Sequence, residues 1–262
     1  MNMVQPIEQL SPRRRRTRAL RTRRYLKTAS KIVFTEGLDA LTMQRVAKEL
    51  DCAVGTIYRY FPSKDALVAD LQREAIEAII ASYHIARPGW DTQIDARTTA
   101  DAAGEQTAAL AGVVIFGRFY AGVPETYPEE FHLLRGLVGD PRSLAPGEDA
   151  QRVMPSAMAL LEIARHRLAT AARAEALTDA DHLMRAVLWV VTLTGAINAG
   201  ELSRFDPTIF DADGLSTMAN LDLLRGWGAD PEQLEMAADI ADNIAELGPV
   251  APEIPRDIER LT

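Results

Sequence analysis

Residues 42–64 read T-M-Q-R-V-A-K-E-L-D-C-A-V-G-T-I-Y-R-Y-F-P-S-K, and this run decides the fold. Thr42 is a residue type that caps helix starts, and Val46, Ala47 and Leu50 follow it at helical spacing. Asp51-Cys52-Ala53 makes a tight turn, and a second short helix over 54–60 stops before Pro62. Val46, Leu50 and Ile57 supply buried contacts, Ala47 is small where the two helices cross, and Gly55 lets the second approach another backbone. Thr56, Tyr58, Arg59 and Tyr60 are left to face outward with hydroxyls and a guanidinium. A short helix so decorated suits a DNA major groove, roughly 12 Å wide.

The flanks complete a three-helix module. Upstream, Leu26, Ala29, Ile32 and Val33 form one face of a helix over 17–36, which Gly37 ends. Downstream, Ser63 caps a helix with Leu67, Leu71, Ala75, Ile76, Ile79 and Tyr83 inward, closed by Pro88-Gly89. Lys64 at its start, and Thr42 and Arg45 at the start of the helix before the turn, are placed to meet phosphates.

Charge points the same way. The first 64 residues carry 14 Lys and Arg against 5 Asp and Glu, a balance of +9; the other 198 carry 15 against 32, a balance of −17. The net charge of −8 therefore hides a basic head, which suggests a polyanion partner for that quarter of the chain. Arg13–Arg16, with Arg18, Arg21, Arg23 and Arg24, are expected to act as an arm along phosphates or in a minor groove, against the alternative of a solubilising tail. Residues 1–16 are expected to be a flexible arm.

The segment A-S-K-I-V-F-T-E-G-L-D-A-L-T-M-Q-R-V-A-K-E-L-D-C-A-V-G-T-I-Y-R-Y-F-P-S-K-D-A-L, residues 29–67, resembles the DNA-binding domain of the tetracycline-repressor (TetR) family. Ala29, Phe34, Gly37, Thr42, Ala47, Gly55, Thr56, Ile57, Tyr58, Tyr60, Phe61 and Lys64 carry the likeness, which covers about 50 residues. Two positions depart from the pattern. Asp51 stands where the family often has Gly; Asp tolerates a left-handed backbone better than most residues. Ala53 replaces a frequent capping Ser, a loss of about 1 kcal/mol.

The resemblance implies an all-α chain. A helix-turn-helix domain over 17–64 binds duplex DNA, a helical ligand-binding and dimerisation domain covers 65–247, and 248–262 is a tail. It implies a homodimer on a palindromic operator, repression, and release by a small-molecule effector, with the Ser63 helix linking the two parts. Thr42, Arg45, Val54, Gly55, Thr56, Tyr58, Arg59, Tyr60 and Lys64 are the DNA-binding candidates. Tyr58 and Tyr60 are alternatively packed beneath the helix with only their tips wet.

Beyond the polar stretch 91–101 the pattern predicts helices near 102–121, 126–138, 148–174, 179–201, 214–226 and 231–247, with Pro155 either inside the third or in a first turn near Met154. Residues 183–197 are apolar all round, so that helix is either central core or faces its own core on one side and a second subunit on the other. Phe116, Arg118, Tyr120, Met158, Trp189 and Asn198 are the candidates for an effector site. Ordinary core packing competes for the apolar ones. Arg118 either anchors an acidic ligand or, by preference, pairs with a local acid or reaches solvent.

Composition excludes other classes. A mean hydropathy of −0.09 and 47% apolar residues fit a globular chain, and one cysteine makes no internal disulfide. The longest nearly apolar stretch, Ala186 to Gly200, is expected to be too short for a bilayer, and no apolar segment follows the N-terminal arginines. The protein is expected in the cytoplasm. His84, His132, His166 and His182 lack partners at ligand spacing, and Cys52 is expected to be inert packing. No catalytic motif is present, so neither an enzyme nor a metal or other cofactor is expected. The competing readings are an enzyme or small-molecule binder with a vestigial head, and a structural DNA binder without sequence preference.

Overall fold

The structure, a computed structural model, describes residues 11–139 and 149–246. Ten α-helices and no strand occur among the described residues. They divide into two compact units, Met1–Ala75 with Glu129–Pro155, and Ile76–Pro128 with Ser156–Thr262. This differs from the expected division at residue 64: the first turns of the fourth helix and part of the sixth belong to the first unit.

In the first unit, α1 spans Pro12–Glu36, α2 Met43–Glu49 and α3 Val54–Tyr58, followed by the start of α4, Lys64–Asp95. A 3-10 turn, Leu38–Ala40, joins α1 to α2. Gly37 sits at φ 85°, which lets its N–H bond the Val33 carbonyl at 2.9 Å and end α1. Thr42 Oγ1 accepts the Arg45 N–H at 3.0 Å, and Ser63 Oγ accepts that of Ala66 at 2.9 Å, so both expected caps form. Leu26, Ala29 and Val33 of α1, Val46 and Ala47 of α2, Ile57 of α3, and Phe61, Leu67 and Leu71 share one buried cluster. Leu133 of α6, Pro128–Gly139, joins it. Each large apolar side chain buried there contributes roughly 1.5–3 kcal/mol.

Several boundaries are corrected. The first helix begins at Pro12, not Thr17, so residues 12–16 of the expected flexible arm are helical; residues 1–10 lie outside the described residues. Pro12 occupies a first-turn position where its missing N–H costs nothing, and arginine propagates a helix well. The helix after the turn ends at Tyr58 rather than 60. Pro88-Gly89 does not close α4, which runs on to Asp95 because Trp90 and Ile94 beyond the proline are buried. For the same reason α5, Ala102–Thr126, passes through Pro124 between buried Val123 and Tyr127. Pro155 lies inside α7, Ala150–Arg173, whose first turn is held by Arg152 paired to Asp149 at 3.2 Å and Asp70 at 3.7 Å. The tail 248–262 lies outside the described residues.

In the second unit, α5 is the central helix. Val113, Val114, Phe116, Phe119 and Tyr120 are all buried, and α8 (His182–Ala199), α9 (Ala212–Gly226) and α10 (Pro231–Glu246) pack on it. Asp181 and Asp211 cap α8 and α9. The apolar helix 183–197 is not enclosed. Ala186, Trp189, Val190, Leu193, Thr194 and Ile197 are buried, while Met184, Val187, Leu188 and Val191 form an exposed stripe. The length expectation for this segment is also corrected: Ala102–Thr126 and His182–Arg204 are both long and apolar enough to cross a membrane by length and composition. The apolar window of α5 is 67% buried inside the protein, which accounts for its composition as core; that of His182–Arg204 is only 33% buried.

Candidate nucleic-acid interface

The turn between α2 and α3 works as a tight corner because Asp51 adopts φ 49°. Asp in this region is uncommon but tolerated, so the expected substitute for Gly serves. The Cys52 N–H bonds the Ala47 carbonyl at 3.0 Å, and α3 starts without a side-chain cap at Ala53, as its methyl group dictates. Cys52 is a half-buried free thiol packed against the core of the unit.

On α3, Ile57 is the buried anchor, and Tyr58 and Arg59 are exposed, with Thr56 and Val54 half-buried. Arg59 Nη2 donates weakly to Thr56 Oγ1 at 3.5 Å, which keeps the guanidinium beside the hydroxyl on the outer face. Gly55 is exposed, and a Cβ there would meet nothing within 4 Å. No backbone among the described residues therefore approaches Gly55, and the space it leaves open faces outward.

Two expected contact residues hold other partners. Arg45 forks onto Glu36, both guanidinium nitrogens at 2.8 Å, and also reaches Glu49 at 2.9 Å. Two carboxylates thus neutralise a side chain expected at a phosphate, and their hydrogen bonds raise its pKa further. Lys64 Nζ donates to the Leu38 carbonyl at 3.0 Å, tying α4 to the 3-10 turn, whereas the α2 cap takes only the Thr42 acceptor and not its O–H. The lysine retains two donors for another partner. Glu49, four residues after Arg45, was a legible sign of that pairing.

Tyr60 is half-buried rather than presented. Its ring meets Tyr25 edge-on at 4.9 Å, and the Arg18 guanidinium lies 4.8 Å from its centroid. The Tyr60 side chain raises the pKa of Arg21, which lines one groove with it. Arg18 Nη2 also donates to the Arg59 carbonyl at 3.3 Å. Arg18 and Arg21 were expected as part of an arginine arm along phosphates or in a minor groove. Their spacing of three, with Tyr25 four further on, places all three on one helical face.

The six effector candidates do not converge. Phe116 and Trp189 pack in an aromatic cluster with Tyr83, Trp90 and Phe119. The Tyr120 hydroxyl meets Thr194 Oγ1 at 2.8 Å, and burial pushes its pKa up to about 12. Met158 is exposed. Arg118 pairs with Asp242, lies 4.0 Å from Asp213 and donates to Thr217 Oγ1 at 2.9 Å, so local acids rather than a ligand satisfy its charge. Asn198 Oδ1 is buried without a hydrogen-bond partner among the described residues. A separate cleft of about 420 Å³ lies between Ile94, Glu105, Ala108, Arg167 and Thr170, and none of the six lines it. Arg167 is fixed there by the Tyr83 hydroxyl at 3.0 Å and Asp91 at 2.9 Å.

The family model described as "Bacterial regulatory proteins, tetR family" matches residues 26–71. The chain is 47% identical over 55 residues to the HTH-type transcriptional repressor KstR of Mycolicibacterium smegmatis, a match spanning 21% of this chain and only 27% of that protein's length. A bacterial regulatory protein in the tetR family from Rhodococcus RHA1 superposes with a TM-score of 0.51 at 18% identity, over 80% of this chain and 97% of the other. The MbdR regulator from Azoarcus sp. CIB gives 0.50 at 22% identity, over 78% and 97%. These two likenesses show a shared fold beyond the N-terminal unit.

Proposed function

The chain carries a TetR-family helix-turn-helix DNA-binding domain, and from that premise we propose that it is a sequence-specific transcriptional repressor, binding a palindromic operator as a homodimer and released by a small-molecule effector. The observation that carries this reading is α3: anchored by buried Ile57, it turns Thr56, Tyr58 and Arg59 outward at the edge of a basic unit. A helix of this length contacts few base pairs, so useful specificity calls for two copies on half-sites about 34 Å apart or a multiple. The exposed stripe of α8 supports self-association. Effector binding belongs to the second unit, where the 420 Å³ cleft is of small-molecule size. Because α4 contributes to both units, a shift of this helix would change the separation of two recognition helices. The reading places the protein in the cytoplasm and assigns it no catalysis, cofactor or membrane.

Binding to DNA flanking its own gene, against random duplex of the same length, tests the proposal. Equal affinity for both would favour a structural DNA binder instead, and no binding at low salt would remove the reading. Arg59→Ala should cost about 1–3 kcal/mol at one base pair per half-site and relax choice there, since arginine is the commonest reader of guanine edges. A series of operators with single base exchanges checks this; unchanged discrimination counts against it. Gly55→Ala should leave the melting temperature equal or higher, because alanine favours helix and meets no atom, yet weaken operator binding about tenfold (~1.4 kcal/mol). Full affinity in that variant would mean that no backbone approaches Gly55.

A further inference from the structure

We propose that the N-terminal turns of α1 and Tyr60 form a preset clamp for a phosphate diester of the DNA backbone, outside the bases that α3 inspects; this rests on the duplex-binding reading above. An open groove of about 460 Å³ is lined by Arg13, Arg14, Thr17, Arg18, Arg21 and Tyr60, and no acid lines it. Four guanidinium groups there face a ligand that must be anionic. Arginine's planar fork matches the paired oxygens of a phosphate better than an ammonium does.

The groove is held in shape before any ligand arrives. Arg18 is fixed twice, by the Tyr60 ring at 4.8 Å and by the Arg59 carbonyl at 3.3 Å. Arg21 lines the same groove, and Tyr60 leans on buried Tyr25. Ordering Arg18 in advance removes part of the entropy cost of binding. Tyr60 is thus a positioning residue for Arg18 rather than a reader of bases. The Arg18 bond to the carbonyl of Arg59 sets the clamp beside the end of α3, so the phosphate it holds belongs to the strand flanking the inspected bases. By contrast Arg45 is neutralised by Glu36 and Glu49, which moves the backbone grip from α2 to α1.

The test measures fluorescence anisotropy of a 30-bp duplex, recovered by selection from random DNA, across a range of KCl concentrations. Arg18→Ala/Arg21→Ala should lower the salt slope by about 0.9 for each phosphate that the variant no longer neutralises. It should also weaken binding by about tenfold at 0.1 M salt, by the same factor on the selected duplex and on base-exchanged ones. Tyr60→Leu should reproduce the Arg18 share of this, and Tyr60→Phe, which keeps the ring, should leave that share intact. Thermal melts confirm folding; alanine favours helix at both sites. A wild-type slope in the double variant, with wild-type binding intact, overturns the clamp alone. Changed base discrimination in that variant overturns the backbone assignment. Titration with inorganic phosphate separates a free-anion site: tight binding that disappears in the double variant, with the DNA slope unchanged, would replace the duplex as ligand. A wild-type chain that bound no duplex would sink the duplex-binding reading and the clamp with it.

Discussion

Val187→Glu combined with Leu188→Glu is expected to leave the chain monomeric and to weaken operator binding by about 10²- to 10⁴-fold, the usual worth of linking two binding events. Met184, Val187, Leu188 and Val191 recur at i, i+3, i+4 and i+7 on α8, and all are exposed, Met184 at 65%. Met218 of α9 is exposed too. An apolar stripe on an otherwise well-packed helix marks a surface that another apolar surface covers. A two-fold axis sets a stripe opposite its own copy, so each substitution is felt twice and introduces facing like charges. The fold should survive, because neither side chain belongs to the core of its own unit; Trp189 and Leu193 hold that face. Sedimentation gives the mass and anisotropy the affinity. A dimer of unchanged mass would show that α8 is not the interface, and a monomer of full affinity would show that pairing is not what makes binding tight.

Legibility from sequence followed the range of the interactions. Local signals were readable: Gly37 ending α1, Thr42 and Ser63 capping, Asp51 standing in for glycine, and the inward faces of α1, α2 and α4. Prolines misled, because a break signal acts locally while burial of Trp90 and Ile94 is tertiary, and a few kcal/mol of burial outweighs one proline of roughly 3 kcal/mol. The cations were harder. Nothing in periodicity says that Glu36, nine residues before Arg45 and on another helix, takes its guanidinium, or that Lys64 turns to the Leu38 carbonyl. Tyr60 had the right residue type in the right motif, and only the placement of α1 shows that Arg18 lies over its ring. In the second unit, an apolar helix reads the same whether its outer face meets solvent or a partner, so α8 stayed ambiguous until exposure was known.

Gly117→Ala is expected to destabilise the chain by about 2–4 kcal/mol, although helix propensity alone would favour alanine by about 1 kcal/mol. Gly117 lies mid-way along buried α5, and a Cβ there would stand 2.6 Å from Asn220 Cγ and closer still to Nδ2. Asn220 has no easy retreat. It is buried, its Oδ1 accepts the Trp189 indole N–H at 2.8 Å, and its Nδ2 donates to the Val114 carbonyl at 3.3 Å. Displacing it leaves a buried indole donor and a buried amide unpaired, each costing about 1–3 kcal/mol. The glycine is thus the socket of a polar joint linking α5, α8 and α9. A double-mutant cycle in urea isolates the joint. Asn220→Ala alone should also destabilise, but Gly117→Ala added to it should cost little, since the clash is gone. Additive effects would place the strain elsewhere, and a Gly117→Ala protein as stable as wild type would show that Asn220 moves freely. A dimerisation test follows from the same geometry: Trp189 lies on the buried side of the helix that carries Val187 and Leu188. Loosening the joint should therefore weaken dimerisation as well as folding, and a destabilised variant that dimerised with unchanged affinity would uncouple the two faces of α8.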